Sequence, residues 1–101
     1  MGFFSKLFGP KHDWADIIHT QKAKIVDVRT PAEFKGGHIK GSINIPLNNI
    51  ANAQKKLKGN QPIVLCCASG MRSGQATQIL KSKGFDAVYN GGGWRSLQRH
   101  V

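Results

Sequence analysis

With 101 residues the chain has room for one small domain and too few for two. Fifteen lysines and arginines against five aspartates and glutamates give a formal charge of +10; with 40% hydrophobic residues, this composition excludes a disordered chain and predicts a fold that attracts anions. The two cysteines, Cys66 and Cys67, are neighbours and cannot staple distant segments, which argues against a secreted disulfide framework and for a reducing, cytoplasmic compartment.

Residues 1–11 read as an apolar and basic extension ahead of a domain over 12–101. The extension lacks the pattern of a secretory signal, and Lys6 stands where a myristoylation motif needs Ser or Thr. Its rings Phe3, Phe4 and Phe8 are expected to pack on the domain or fray, and no apolar run approaches the ~20 residues of a membrane span. A soluble protein with no transmembrane segment is the expectation.

Asp13 is placed to cap a short helix carrying Trp14, Ile17 and Ile18 on one side, and Lys24 to Val28 reads as a buried strand rich in β-branched residues. Thr30-Pro31-Ala32-Glu33 is a capping box with proline at the first helical position, so a brief helix is expected, ending at Gly36-Gly37. Ser42 to Ile45 follows as a strand stopped by Pro46. Ile50, Ala53 and Leu57 then recur at helical spacing, which predicts one helix over Leu47 to Lys58.

Pro62 to Cys66 is the next buried strand, and Cys67 to Arg72 a loop. Ser73 to Lys83 is predicted as a helix with Ala76, Ile79 and Leu80 inward and Gly84 as its left-handed terminator. Ala87 to Tyr89 makes a short strand, Gly91-Gly92-Gly93 a turn, and a last helix carries Trp94, Leu97 and Val101 on one side. Strands alternating with helices through short connections predict an α/β fold with a parallel sheet, in which ligands gather beyond the carboxyl ends of strands. Cys67 stands at such an end.

The segment Cys67-Ala68-Ser69-Gly70-Met71-Arg72 puts a cysteine just past a strand and an arginine five residues on, with a helix opening behind it. If the loop curls around the sulfur, backbone N–H groups and the positive end of the helix converge on it, which favours the thiolate. Gly70 suits a tight cradle, Ala68 and Ser69 leave the mouth open, and Arg72 is suited to clamp an oxyanion with two parallel hydrogen bonds. A cysteine that merely packs in a strand-to-helix turn is the competing reading; glycine and arginine at these offsets favour chemistry.

This loop, Cys67-x4-Arg72-Ser73, resembles the active-site loop of rhodanese-type sulfurtransferases. Asp27-Val28-Arg29, Glu33-Phe34 and Gly37-His38-Ile39-x-Gly41-Ser42-x-Asn44-Ile45-Pro46 resemble the family's upstream signature, and Tyr89-Asn90-Gly91-Gly92-Gly93-Trp94 its closing glycine turn. The blocks span most of Ile25 to Leu97 in the family's order. The resemblance implies a three-layer α/β sandwich, a parallel sheet of four or five strands with helices on both faces. It further implies that Cys67 takes the outer sulfur of a donor such as thiosulfate as a persulfide and passes it to a thiophilic acceptor, cyanide or a thiol, with no metal or organic cofactor. Two departures stand out: Phe8 to Asp13 is a poor match for the extra first strand of many relatives, and Leu97 stands where the family often has tryptophan.

Asp27 and Arg29 share one strand face and, with Glu33, are placed to form an ion-pair network bracing the loop rather than reacting. Strand alternation turns Cys66 away from the loop, as a packing residue. His38 is expected to satisfy backbone hydrogen bonds, and His12, His19 and His100 lack metal-ligand spacing with the cysteines. The dispersed lysines carry no nucleic-acid motif and are expected to form a solvated surface whose field draws a small anionic sulfur donor to Cys67. A thiol, or a protein sulfur acceptor, would be the second partner. Two other functions fit parts of the pattern. A persulfide carrier or regulatory module would use the same cysteine without turnover of free thiosulfate. A phosphatase or arsenate reductase would use a loop one residue longer, since only four residues separate Cys67 from Arg72 here.

Overall fold

In the computed structural model, residues 12–101 are described; the extension at residues 1–11 lies outside them. Four strands form one parallel sheet: β1 (Lys24–Asp27), β2 (Ile43–Asn44), β3 (Ile63–Cys67) and β4 (Val88–Gly93), in the order β2-β1-β3-β4. Among the described residues the four-stranded form of the expected sheet is the one present. The helices are α1 (Asp16–Thr20), α2 (Pro31–Lys35), α3 (Gln54–Leu57), α4 (Met71–Ser82) and α5 (Trp94–Gln98), with a 3-10 segment over Leu47–Asn52.

The strand β3 is the centre of the molecule, buried at all five positions because helices cover both of its faces. Alternation sends Ile63, Leu65 and Cys67 to one face, where they pack with Val26, Ile50, Leu57, Ala76 and Leu80. Val64 and Cys66 go to the other, with Ile17, Ile18, Ile25, Ile39 and Leu97. The expected layering of helix, sheet and helix follows from these two separate cores.

The local signals set the ends of the elements. Asp13 accepts from the Asp16 N–H at 3.1 Å, capping the turn that leads into α1, which is π-wound. At α2 both halves of the capping box are made: Thr30 Oγ1 accepts from the Glu33 N–H, and Glu33 Oε1 from the Thr30 N–H. Gly84, at φ 96°, ends the turn after α4.

Four expectations need correction. The single helix over Leu47 to Lys58 is instead a 3-10 segment and then the four-residue α3, in keeping with the low helix propensity of Asn48, Asn49 and Asn52. Ile50, Ala53 and Leu57 nonetheless all reach the core. Met71 and Arg72 belong to the first turn of α4, not to a loop, and Cys67 is the last residue of β3. The glycine run is not a turn but the second half of β4, with Gly92 and Gly93 paired beside Cys66 and Cys67 after a register shift at Leu65/Cys66. At the C-terminus, α5 stops at Gln98; Leu97 is buried, while Val101 is 45% exposed and does not join its face.

At Gly91 and Gly93 of β4 neighbours leave no room for a side chain, while Gly92 takes φ 81° with open space around it. A Cβ at Gly91 would lie 2.7 Å from Val64 Cγ1 and 2.9 Å from Leu97 Cδ2. Gly91→Ala is therefore expected to destabilise the fold by about 1–3 kcal/mol through overpacking, read as a lower urea midpoint at unchanged m-value.

Candidate active site

Cys67 ends β3 with its Sγ under the turn of residues 68–70. The Gly70 N–H donates to Sγ at 2.9 Å and the Ser73 N–H at 3.4 Å, while Ser73 Oγ lies 3.3 Å away. Gly70 takes φ 101° at the entry to α4, a conformation that an L-residue rarely adopts and that turns the backbone N–H groups inward. Burial works against ionisation of Cys67, but the Ser73 hydroxyl and the N–H groups of Ser73, Ser69 and Gly70 outweigh it and hold the thiol below its ordinary value. Cys66, one residue earlier, faces the opposite core, where burial foremost and the Asp27 carboxylate next push its thiol up to about 12.

The two thiols should therefore behave very differently. Alkylation of the native protein followed by mass is expected to modify Cys67 alone, with a midpoint below the ~8.5 of a free thiol. Two modified cysteines at neutral pH, or a midpoint at 8.5 or above, would contradict this assignment. Cys67 has no exposed surface, while Ala68 and Ser69 beside it are exposed.

Around the sulfur, Ala68 and Ser69 are exposed at the mouth and Met71 is 76% exposed on the rim. Arg72 does not reach into the loop unaccompanied. Its Nη1 and Nη2 hold Glu33 Oε1 and Oε2 at 2.7 and 3.0 Å, a bidentate bridge from α4 to α2. The bridge to Arg72, with the Thr30 N–H, lowers the Glu33 carboxyl to about 2. Its contribution to stability is thus present above the ordinary carboxylate range and lost as pH falls through about 2.

The expected network of Asp27, Arg29 and Glu33 divides into two. Arg29 donates through Nε and Nη2 to the carboxylate of Asp27, the Nη2 bond being 2.7 Å, and both residues are buried. Its remaining donors reach the carbonyls of Gly37 and Glu33, and the Trp94 ring lies 4.8 Å from its guanidinium. Glu33 meets Arg29 only through its backbone and gives its side chain to Arg72, because the capping box already turns that carboxylate toward the start of α2. His38 donates through Nδ1 to the Phe34 carbonyl and stacks on the Phe34 ring, the structural role expected of it.

A sulfur at the carboxyl end of a central parallel strand, cradled by N–H groups at the mouth of a helix, is a geometry that can be compared with known proteins. The profile of the Rhodanese-like domain matches residues 11–100. The chain belongs to the rhodanese-like domain family. Thiosulfate sulfurtransferase PspE of Escherichia coli K12 is 35% identical over 74 residues, 71% of this chain and 71% of that protein. The uncharacterized protein YqhL of Bacillus subtilis 168 is 41% identical over 70 residues, which are 69% of this chain but 56% of YqhL; the chain thus spans little more than half of that relative. Among solved structures, a rhodanese-related protein from Thermoplasma volcanium matches with a TM-score of 0.70 at 33% identity, covering 85% of this chain and 87% of that one.

Two features of this rhodanese-like domain escape residue-by-residue reading. Ser73 and Asn90 were visible only as parts of longer motifs, yet Ser73 Oγ stands 3.3 Å from the sulfur and 2.7 Å from Asn90 Oδ1. No sequence signal connects them, since β4 must first pair beside β3. The lysines are also less evenly spread than the sequence suggests. Lys22, Lys24, Lys58 and Lys83 all stand at or just before the amino ends of strands, the far side of the sheet from Cys67, and Lys55, Lys58 and Lys83 line one concavity. The groups that act on the sulfur directly are the Ser73 hydroxyl and the N–H groups of Ser73, Ser69 and Gly70. No helix among the described residues is long and apolar enough to cross a membrane.

Proposed function

We propose that this rhodanese-like domain is a sulfurtransferase that carries sulfane sulfur on Cys67. The thiolate attacks the outer sulfur of a donor such as thiosulfate; the S–S bond breaks, sulfite leaves with the electron pair, and Cys67 is left as a persulfide. Cyanide or a thiolate then attacks the outer sulfur, giving thiocyanate or a new persulfide and restoring the Cys67 thiolate. The observation that carries this reading is the sulfur itself, held by two N–H groups and a hydroxyl that favour an anion at that point.

In this scheme Ala68, Ser69, Gly70 and Met71 surround the donor, and Arg72 keeps the loop in shape through Glu33 while its remaining N–H groups face the donor's oxyanion end. Asp27 and Arg29 brace the stretch that carries Glu33. The small ring of amides suits one sulfur better than a tetrahedral phosphate, so phosphoryl transfer is the weaker enzyme reading.

Intact mass of the reduced protein after thiosulfate, then after cyanide, tests the proposal. One added sulfur that persists in Cys66→Ala, is absent in Cys67→Ser and is discharged as thiocyanate is the expected result. An adduct independent of Cys67, or none with any sulfane donor, overturns it. An adduct formed only with a persulfidated protein donor, without turnover of thiosulfate, would make the domain a sulfur carrier instead.

A further inference from the structure

Ser73 is fully buried and its hydroxyl has one hydrogen for two neighbours, Asn90 Oδ1 at 2.7 Å and Cys67 Sγ at 3.3 Å. The orientation of the Asn90 amide is fixed from both ends. Its Nδ2 donates to the Gly70 carbonyl at 3.1 Å, and its Oδ1 accepts from the Gly92 N–H at 2.9 Å. A flipped amide would set carbonyl against carbonyl and N–H against N–H, so Oδ1 is the atom that faces Ser73.

This arrangement fits the thiol form of Cys67. The S–H donates to Ser73 Oγ, and the Ser73 hydroxyl donates on to Asn90. Once the sulfur has lost its proton to solvent, an oxygen lone pair facing an anion is unfavourable, while a hydroxyl donated to it is a charge-assisted hydrogen bond. Asn90 Oδ1 is not stranded by that rotation, because the Gly92 N–H still serves it. We propose that Asn90 is a positioning residue that holds the Ser73 hydroxyl proton while Cys67 is a thiol and releases it to the sulfur when Cys67 becomes an anion. No proton passes between residues; the hydroxyl turns.

The charged and titratable neighbours do not supply this switch. From α4 the sulfur feels Arg72, already bridged to Glu33 of α2, and along its own strand it feels the Cys66 thiol, held neutral. From β4 the segment beside it is Asn90 to Gly93, which carries no charge. The uncharged Asn90 thus acts on the sulfur through Ser73, and the inference deepens the persulfide reading by naming a residue that tunes the anion at that site.

The test is a double-mutant cycle read as the pH dependence of Cys67 alkylation, with the 240 nm thiolate absorbance beside it. It requires no sulfur transfer and so succeeds or fails independently of the donor chemistry. Ser73→Ala should raise the Cys67 midpoint. Asn90→Ala, and Asn90→Leu as a bulkier variant that also lacks the acceptor, should lower it by roughly 0.5–1 pH unit, the equivalent of one modest hydrogen bond, since only the thiol form loses a partner. In the Ser73→Ala background the Asn90 substitutions should leave the midpoint unmoved. An Asn90 effect that persists without the Ser73 hydroxyl, or a midpoint that rises in Asn90→Ala and Asn90→Leu, overturns the proposal and assigns Asn90 to holding Gly70 alone. Thermal unfolding of each variant separates these outcomes from loss of fold.

Discussion

Cys67→Ser is expected to reduce thiosulfate-to-cyanide turnover by at least about a thousandfold, to the background of the buffer, while the protein keeps its unfolding midpoint within a few degrees. The direction follows from chemistry. A serine hydroxyl at the same point stays protonated at neutral pH, where the thiol is held below its ordinary value by Ser73 and the Gly70 N–H, and oxygen is a far weaker nucleophile toward sulfur. The fold is spared because Cys67 Sγ makes its polar contacts with N–H and hydroxyl groups that an oxygen also satisfies. Steady-state rates with wild type and variant at matched concentrations check it; a variant retaining a tenth of the rate would move the nucleophile elsewhere.

Asp27→Ala is expected to cost about 3–5 kcal/mol of stability, a large part of what a small domain has. Asp27 is fully buried and Arg29 5% exposed, so removing the carboxylate leaves a guanidinium inside the protein without its counter-charge. The carbonyls of Gly37 and Glu33 and the Trp94 ring remain as partners but carry no full negative charge. Urea unfolding measures the loss. A cost below about 1 kcal/mol would mean that those three partners already satisfy Arg29, and that the pair is dispensable to the segment carrying Glu33 and its bridge to Arg72.

These two outcomes test different layers of one design. The sulfur is presented by β3 and α4, whereas the Arg72–Glu33 bridge and the Asp27–Arg29 pair hold α2 and its flanks against that unit. Under the proposed function, loss of Cys67 is expected to remove the chemistry and keep the scaffold, and loss of Asp27 to loosen the scaffold around intact chemistry.

The sequence by itself determined the alternation of strands and helices, the capping box at Thr30, the separation of Cys66 from Cys67 onto opposite faces, and the place of Cys67 at the carboxyl end of a strand ahead of a helix. Each rests on a relation between residues close in the chain, the range over which periodicity, capping and strand alternation act. Its local reading erred where two local signals conflict: apolar spacing predicted one helix across Leu47 to Lys58, but the asparagines split it. Only the tertiary structure decided that Glu33 pairs with Arg72, 39 residues away, and that the glycine run is a strand pressed against Val64, Leu97 and Ala68. It alone set Asn90 against Ser73, the neighbour of the sulfur, because parallel pairing of β4 with β3 brings Gly92 and Gly93 beside Cys66 and Cys67. A side chain's own segment fixes where it starts and which way it leaves the backbone; which partner fills the space it enters is fixed by strand order and helix packing.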